Sequence, residues 1–159
     1  MALLPLYLQD LMGYPILTAG FALAPRGFGT LVAMTIVGRL VGRLDTRVLL
    51  ATDANYPWLI LVPRRPNLIE LIDLDNSGQA TLMIEIARAA RALKDISLCD
   101  KLNVAALGNT VRQLHVHVIA RRQGDPAGAR PVWGAVPTRP YPAAERERLS
   151  AALRGALGL

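Results

Sequence analysis

The stretch Gln113-Leu-His115-Val-His117-Val-Ile-Ala120 alternates hydrogen-bonding and apolar side chains over its first six positions. Successive side chains of a β-strand point to opposite faces of the sheet. The stretch therefore predicts a strand with one buried apolar face and one polar face. The apolar face consists of Leu114, Val116, Val118 and Ala120. The polar face carries Gln113, His115 and His117 at intervals of about 6.6 Å, with Ile119 beyond them.

A β-hairpin and a helix are predicted upstream of this strand. Residues 47–51 and 58–62 are apolar runs, and residues 52–55 between them have the composition of a turn. Residues 79–94 are rich in helix formers, and their apolar side chains recur every three or four residues. We expect the face formed in this way to pack on a core, with Glu85 and two arginines outside it. That face consists of Leu82, Ile86, Ala89 and Leu93.

The remaining segments complete an α+β domain. Residues 102–106 predict a third strand, residues 108–109 a turn, and residues 113–120 the fourth strand. Residues 124–142 are rich in proline and glycine without any period, which predicts an extended surface loop, and residues 143–157 predict a terminal helix. Strands with hairpin-like connections around one long helix predict a mainly antiparallel sheet.

The composition is that of one compact domain. The chain has 159 residues, of which 52% are hydrophobic and 19% charged, and this excludes a disordered chain and a coiled coil. A chain of this length buries enough surface to fold without disulfides. Its one cysteine, Cys99, indicates a reducing compartment, so we expect a cytoplasmic protein.

The chain is basic, with a net charge of +6 and an isoelectric point near 10.2. Such a charge suits an anionic partner such as a nucleotide, a nucleic acid or an anionic membrane. The arginines are dispersed, however, and the pairs Arg64-Arg65 and Arg121-Arg122 lie far apart in the sequence. A nucleic-acid surface usually gathers its basic residues and interleaves them with aromatic ones. We therefore predict solvated arginines and no nucleic-acid partner.

The first 38 residues differ from the rest. Between Leu3 and Pro25 the only charged residue is Asp10, but prolines and glycines interrupt the apolar run and no basic residue precedes it. A membrane-spanning helix and a secretory signal both fit poorly. We predict an atypical apolar N-terminal arm over residues 1–38, packed on the body or on a second subunit, and one domain over residues 39–159. A membrane anchor is the less favoured alternative, so we expect no membrane partner.

Three interpretations are open for His115 and His117, the two histidines of the chain. Two imidazoles two residues apart on a strand can ligate one metal ion, but zinc normally takes a third or fourth protein ligand and no carboxylate neighbours the pair. We therefore predict no metal and no other cofactor. The second interpretation is a structural pair on a polar sheet face. The third is nucleophilic or acid–base chemistry on an anionic substrate, because the reference pKa of imidazole is near 6.5.

The third interpretation agrees with a family resemblance. The segment from Gly108-Asn-Thr to Arg121 resembles the signature strand of the histidine-triad (HIT) superfamily of nucleotide hydrolases and transferases. That signature is His-φ-His-φ-His-φ-φ, with φ apolar, preceded by a glycine, an amide and a hydroxyl residue. Residues 58–65 are similar to the family's second strand, and residues 79–94 to its long helix. The resemblance covers about residues 45–121 and implies a HIT-like fold.

The resemblance implies a role for each matching residue. His115 would attack the α-phosphate of a nucleotide conjugate and form a covalent nucleotidyl-histidine, which water or another acceptor resolves. His117 would hydrogen-bond the phosphate oxygens, with Asn109 and Thr110 near the leaving group. Asp53, in the hairpin turn, would accept a hydrogen bond from a ribose hydroxyl or else simply form the turn. The family also implies a homodimer and a nucleotide or nucleotide-conjugate substrate.

Two positions depart from the family pattern. Gln113 replaces the first histidine of the triad, and Trp58 replaces the histidine that the family commonly places at the start of its second strand. A glutamine side chain can donate a hydrogen bond but cannot carry a proton charge. We predict that Gln113 is a catalytic residue together with His115 and His117. Its amide can still orient a neighbouring group by a hydrogen bond, but it cannot adjust the charge of the site. The alternatives to a hydrolase are an inactive nucleotide-binding protein of the same fold and a basic adaptor on membranes or nucleic acids.

Four further residues are open to more than one interpretation. Arg64, Arg65 and Arg121 either draw phosphate toward the site or cap strand ends in solvent. Trp133 lies in the sequence Pro-Val-Trp-Gly after the signature strand. It could cover the pocket or join a dimer contact, but we expect ordinary packing.

Overall fold

A computed structural model of the chain describes residues 45–159. The N-terminal arm predicted over residues 1–38, and residues 39–44 of the predicted domain, lie outside the described residues. No helix within residues 45–159 combines the length and the apolar character that crossing a membrane requires.

The sheet has four strands. β1 (Thr46–Leu50) and β2 (Trp58–Pro63) form the expected antiparallel hairpin. β2 pairs antiparallel with β4 (Val116–Arg121), and β3 (Lys101–Ala106) pairs antiparallel with β4 on its other side. The resulting order β1-β2-β4-β3 confirms the predicted antiparallel sheet and, with the helices, the α+β class.

The long helix α1 spans Asn76–Ser97 and is longer at both ends than the sequence predicts. The Asp75 side chain caps it by accepting the backbone N–H of Gly78 at 2.7 Å, which satisfies one of the free donors of the first turn. The four apolar residues predicted to share a face are all buried. Glu85, expected outside that face, is also buried, and its carboxylate accepts a hydrogen bond from the backbone N–H of Asp45.

One face of the sheet packs against α1 and against the C-terminal helix α2 (Ala143–Leu157). A short 3-10 helix, Leu71–Asp73, lies between β2 and α1. Each large apolar side chain buried between the sheet and the helices stabilises the fold by roughly 1.5–3 kcal/mol relative to an exposed one. This core therefore fixes the position of β4. Its members include Leu59, Leu61, Leu93, Val116, Val118 and Leu153.

Residues 124–142 cover the second face of the sheet, although the sequence predicts an extended surface loop there. Tyr56 and Ile119 pack against Ala127 and Val132 of this segment in a small second core. Every residue of β4 is consequently buried. The sequence does not reveal this layer because the segment has neither a helical nor a strand period, while a few apolar side chains are enough to cover a narrow strip.

Arg121 holds this segment on the sheet. Its guanidinium bonds the Asp125 carboxylate at 2.6 and 2.9 Å and the carbonyl oxygen of Gly128 at 2.6 Å. The hydrogen bond between the two side chains raises the pKa of Arg121 and lowers the pKa of Asp125. Arg121 is buried, so the interpretation that it caps a strand end in solvent is wrong, while an attraction of phosphate stays a prediction.

Candidate active site

His115 and His117 lie on the same side of the chain at the start of β4. Their ring centroids are 4.9 Å apart, and the ring planes are inclined at 82°. β4 begins at Val116 rather than at Gln113, because Leu114 gives its backbone N–H to the carbonyl of Leu68 at 2.8 Å. His115 therefore precedes the strand but keeps the predicted alternation.

A backbone hydrogen bond selects one tautomer of His115. Its Nδ1 lies 2.7 Å from the carbonyl oxygen of Gln113. A carbonyl oxygen only accepts hydrogen bonds, so Nδ1 carries the hydrogen. In the neutral ring Nε2 then keeps its lone pair, which is the form that a nucleophilic imidazole requires.

Gln113 acts on His115 through its backbone and not through its side chain. The side-chain Nε2 donates to the carbonyl of Arg65 at 3.4 Å, and Gln113 is not among the residues that line the cavity beside the histidines. Every residue type supplies the carbonyl oxygen that orients His115. The orientation of His115 therefore does not depend on the side chain at position 113.

His117 is buried in a cluster of aromatic rings. The indole Nε1–H of Trp58 donates to its Nδ1 at 2.9 Å, and the Trp133 ring lies at a centroid distance of 5.2 Å. Burial, and secondarily the charge of His115, lower the pKa of His117 from 6.5 to about 4. His117 is therefore neutral at neutral pH.

A cavity of about 330 Å³ opens beside the two imidazoles. It is lined by residues 107–111, His115, His117 and Trp133, so it brings Asn109 and Thr110 to the histidines. Its volume lies in the range of small-molecule sites. An imidazole nitrogen with a free lone pair and several N–H and O–H donors thus border one space large enough for a phosphate ester.

Asp53 lies in the turn of the hairpin and does not line this cavity. Its Oδ1 accepts the backbone N–H groups of Asn55 and Arg139 at 3.0 and 3.1 Å. These bonds tie the turn to the segment before α2, which is the structural role that the sequence allows for it. The contact with a ribose stays a prediction.

Trp133 is the cavity residue whose position the sequence does not predict. It lines the cavity and is 39% exposed, and its ring meets the Trp58 ring edge-on at a centroid distance of 5.3 Å. The expectation of ordinary packing is therefore incomplete. The sequence shows only a tryptophan in a segment rich in proline and glycine. That composition does not predict which strand the tryptophan ring contacts.

The capacity of the site for a metal is limited by the hydrogen bonds of the two imidazoles. Nδ1 of His115 bonds to a carbonyl and Nδ1 of His117 to an indole N–H, so only the two Nε2 atoms remain as ligands. In the part of the chain that the structure describes, no three His, Cys, Asp or Glu side chains are grouped so that they could hold a metal ion.

The family model and the solved structures that this chain matches belong to one family. The model of the HIT domain family matches residues 38–124. Among solved structures, a histidine triad protein from Bradyrhizobium japonicum is 58% identical with a TM-score of 0.69, over 70% of this chain and 84% of that chain. A histidine triad protein from Sinorhizobium meliloti is 43% identical with a TM-score of 0.69, over 73% and 87% of the two chains. One from Marinobacter aquaeolei is 41% identical with a TM-score of 0.69, over 74% and 87%. No curated protein matches the chain.

Proposed function

Because this chain belongs to the histidine-triad family, we propose that it is a nucleotide hydrolase or nucleotidyl transferase that acts at the α-phosphate of a nucleotide conjugate through His115. The observation that carries the proposal is the 2.7 Å hydrogen bond between Nδ1 of His115 and the Gln113 carbonyl. This bond leaves Nε2 of His115 as a nucleophile beside the cavity.

The reaction consists of two displacements at phosphorus. In the first, Nε2 of His115 forms a bond to the α-phosphorus, the bond to the leaving group breaks, and the leaving group takes the electron pair. The substituted ring is an imidazolium whose Nδ1–H stays on the Gln113 carbonyl. In the second, water or another acceptor attacks the phosphorus and loses a proton, and the N–P bond breaks to restore neutral His115.

Three side chains of the cavity stabilise the charge that develops. His117 offers Nε2–H to a phosphate oxygen, since its Nδ1 already accepts from Trp58. Asn109 and Thr110 line the same cavity and provide amide and hydroxyl donors near the leaving group. Asp53 does not line this cavity, and its contact with a ribose stays a prediction; Oδ1 already accepts two backbone N–H groups, so such a contact would use Oδ2.

A nucleotide-binding protein without turnover is the second candidate. Gln113 and Trp58 remove two imidazoles from the family pattern, and with them two groups that could carry a positive charge near a phosphate. Such a protein would use the same cavity and the same donors for binding. It would form no bond between His115 and phosphorus.

Trapping of the covalent intermediate tests the proposal. The protein is incubated with adenosine 5′-phosphoramidate, quenched rapidly, and measured by intact-mass and peptide mass spectrometry. We expect an added adenylyl group on His115 and release of AMP over repeated turnovers. His115→Ala should lose the adduct and lower turnover about a thousandfold or more.

His117→Ala is the matched control, because it removes the neighbouring imidazole and leaves the nucleophile. We expect this variant to form the adduct on His115, at a reduced rate. If wild-type protein released AMP no faster than His115→Ala while still binding AMP, the binding protein without turnover would be the correct reading.

We also propose that the protein is a homodimer and acts in the cytoplasm. Among the described residues β3 lies at an edge of the sheet and exposes Val104, and an exposed apolar edge strand is suited to pairing with a second chain. The proposal of a reducing compartment rests on the sequence, because the chain's one cysteine, Cys99, cannot form a disulfide within the chain.

A further inference from the structure

The ring of His117 is surrounded by aromatic rings from three segments. Trp58 of β2 and Trp133 of the segment 124–142 both meet it edge-on, each at a centroid distance of 5.2 Å. His115, just before β4, meets it at 4.9 Å. The orientation of His117 is thus determined by packing as well as by its one hydrogen bond.

The hydrogen bond from Trp58 to His117 has a fixed direction. An indole N–H is a donor and has no lone pair to offer, so Nδ1 of His117 must be the acceptor. A neutral imidazole with an accepting Nδ1 carries its hydrogen on Nε2. A histidine in place of Trp58, as the family commonly has, could donate or accept and would leave this choice open.

We propose that Trp58 is a positioning residue that holds His117 as the neutral Nε2–H tautomer, so that His117 presents a hydrogen-bond donor to the substrate. The inference rests on the proposed function for its consequence in turnover, but the tautomer itself is a property of the free protein. It places Trp58 in a role that the family pattern gives to a different residue type.

The two imidazoles are then held in opposite tautomers. His115 has Nδ1–H on the Gln113 carbonyl and a lone pair on Nε2, while His117 has an accepting Nδ1 and Nε2–H. One ring offers a nucleophile and the other a donor to the same phosphate. In the reverse tautomer, the Nε2 lone pair of His117 would face the phosphate oxygens and repel them.

The hydrogen bond from Trp58 also keeps the His117 ring neutral. Protonation of His117 requires a hydrogen on Nδ1, and this would break the bond from Trp58 and place two donors against each other. The burial that lowers the pKa of His117 to about 4 acts in the same direction. His117 therefore donates from a neutral ring throughout the neutral pH range.

Nitrogen NMR of the full chain tests the tautomer directly. With two histidines in the whole sequence, ¹⁵N-histidine labelling gives two imidazole spin systems, and His115→Ala assigns them. We expect His117 to show a protonated Nε2 and an unprotonated Nδ1, with no titration between pH 5.5 and 8. Trp58→Phe removes the N–H but keeps an aromatic ring, and should give a mixture of tautomers and about a tenfold lower turnover of adenosine 5′-phosphoramidate.

Two further variants separate the hydrogen bond from packing. Trp133→Phe removes an indole that packs on His117 without bonding to it, so the His117 tautomer should be unchanged. Trp58→His restores a side chain with an N–H and should recover part of the Nε2–H population that Trp58→Phe loses. These readouts are spectroscopic and do not depend on catalysis.

The outcomes distinguish the two proposals. A wild-type His117 protonated on Nδ1, or a tautomer unaltered in Trp58→Phe, would overturn the role of Trp58 whatever the activity. A mixed tautomer with undiminished turnover would overturn its consequence for the reaction. If the tautomer behaves as expected in a protein that forms no adduct on His115, the positioning role stands and the hydrolase proposal fails.

Discussion

His117 is the residue that best shows how burial alters the chemistry of a side chain in this protein. Its pKa is about 4 in the folded chain and returns toward 6.5 when the chain unfolds. Between these two pH values the unfolded chain binds more protons at this residue than the folded chain does. The free energy of unfolding therefore falls as the pH falls from 6.5 toward 4.

We expect the wild-type melting temperature to decrease between pH 7 and pH 4.5, and the decrease to be smaller in His117→Asn. Asparagine keeps an acceptor for the Trp58 N–H but has no proton to gain in this range. Differential scanning fluorimetry in matched buffers measures both slopes. His115→Asn removes the smaller of the two causes that lower the pKa of His117 and keeps the larger one, burial, so most of the wild-type decrease should remain. An equal decrease in wild type and His117→Asn would show that other groups cause the acid sensitivity.

The segment 124–142 has no regular secondary structure over most of its length, yet it builds one wall of the cavity. Its position depends on the Arg121–Asp125 ion pair, in which the Asp125 side chain is 7% exposed. The segment carries Trp133 to His117. The ion pair therefore contributes to the geometry of the site as well as to stability.

Removing the carboxylate is expected to destabilise the protein. Asp125→Ala leaves the buried Arg121 guanidinium without its counter-ion, and we expect a loss of about 2 kcal/mol in the free energy of unfolding, between the values for surface and buried ion pairs. Urea denaturation measures the loss. Asp95→Ala, at an exposed position near the end of α1, is the control and should change stability by less than about 0.5 kcal/mol; equal effects would refute the anchoring role.

In the whole molecule, the two edges of the described sheet differ in what they are expected to meet. β3 forms one edge and β1 the other. Val104 on β3 and Leu49 on β1 are each 51% exposed, so exposure alone does not tell them apart. The homodimer proposed above assigns the β3 edge to the interface.

Light scattering after size exclusion should give a mass twice the 17.2 kDa of the chain. Val104→Lys places a charge on the proposed interface edge and should shift the population toward the monomer, because a charge on an edge strand opposes pairing. Leu49→Lys makes the same change on the opposite edge and should leave the mass unchanged. A monomeric wild type, or dissociation by Leu49→Lys alone, would contradict this assignment.

Several parts of the fold and the site could be predicted because their signals are local. The period of two around His115 and His117 placed both rings on one side, and the period of three to four placed Leu82 and Leu93 on the buried face of α1. The resemblance placed Asn109 and Thr110 near the leaving group, which stays a prediction; the structure shows that both line the same cavity as the histidines. The two periods concern residues that lie near one another along a single stretch of chain, whereas the placement of Asn109 and Thr110 came from the family resemblance.

The sequence by itself determined the strands, the long helix and the shared side of the two imidazoles, because backbone periodicity acts over a few residues. Only the tertiary structure decided that Trp58 bonds His117 across 59 positions of the chain and that Arg121 draws the segment 124–142 over the sheet. It also decided that Gln113 orients His115 through its carbonyl while its side chain turns to Arg65. These contacts depend on which surfaces of the elements pack against each other, and a local sequence pattern does not predict that packing.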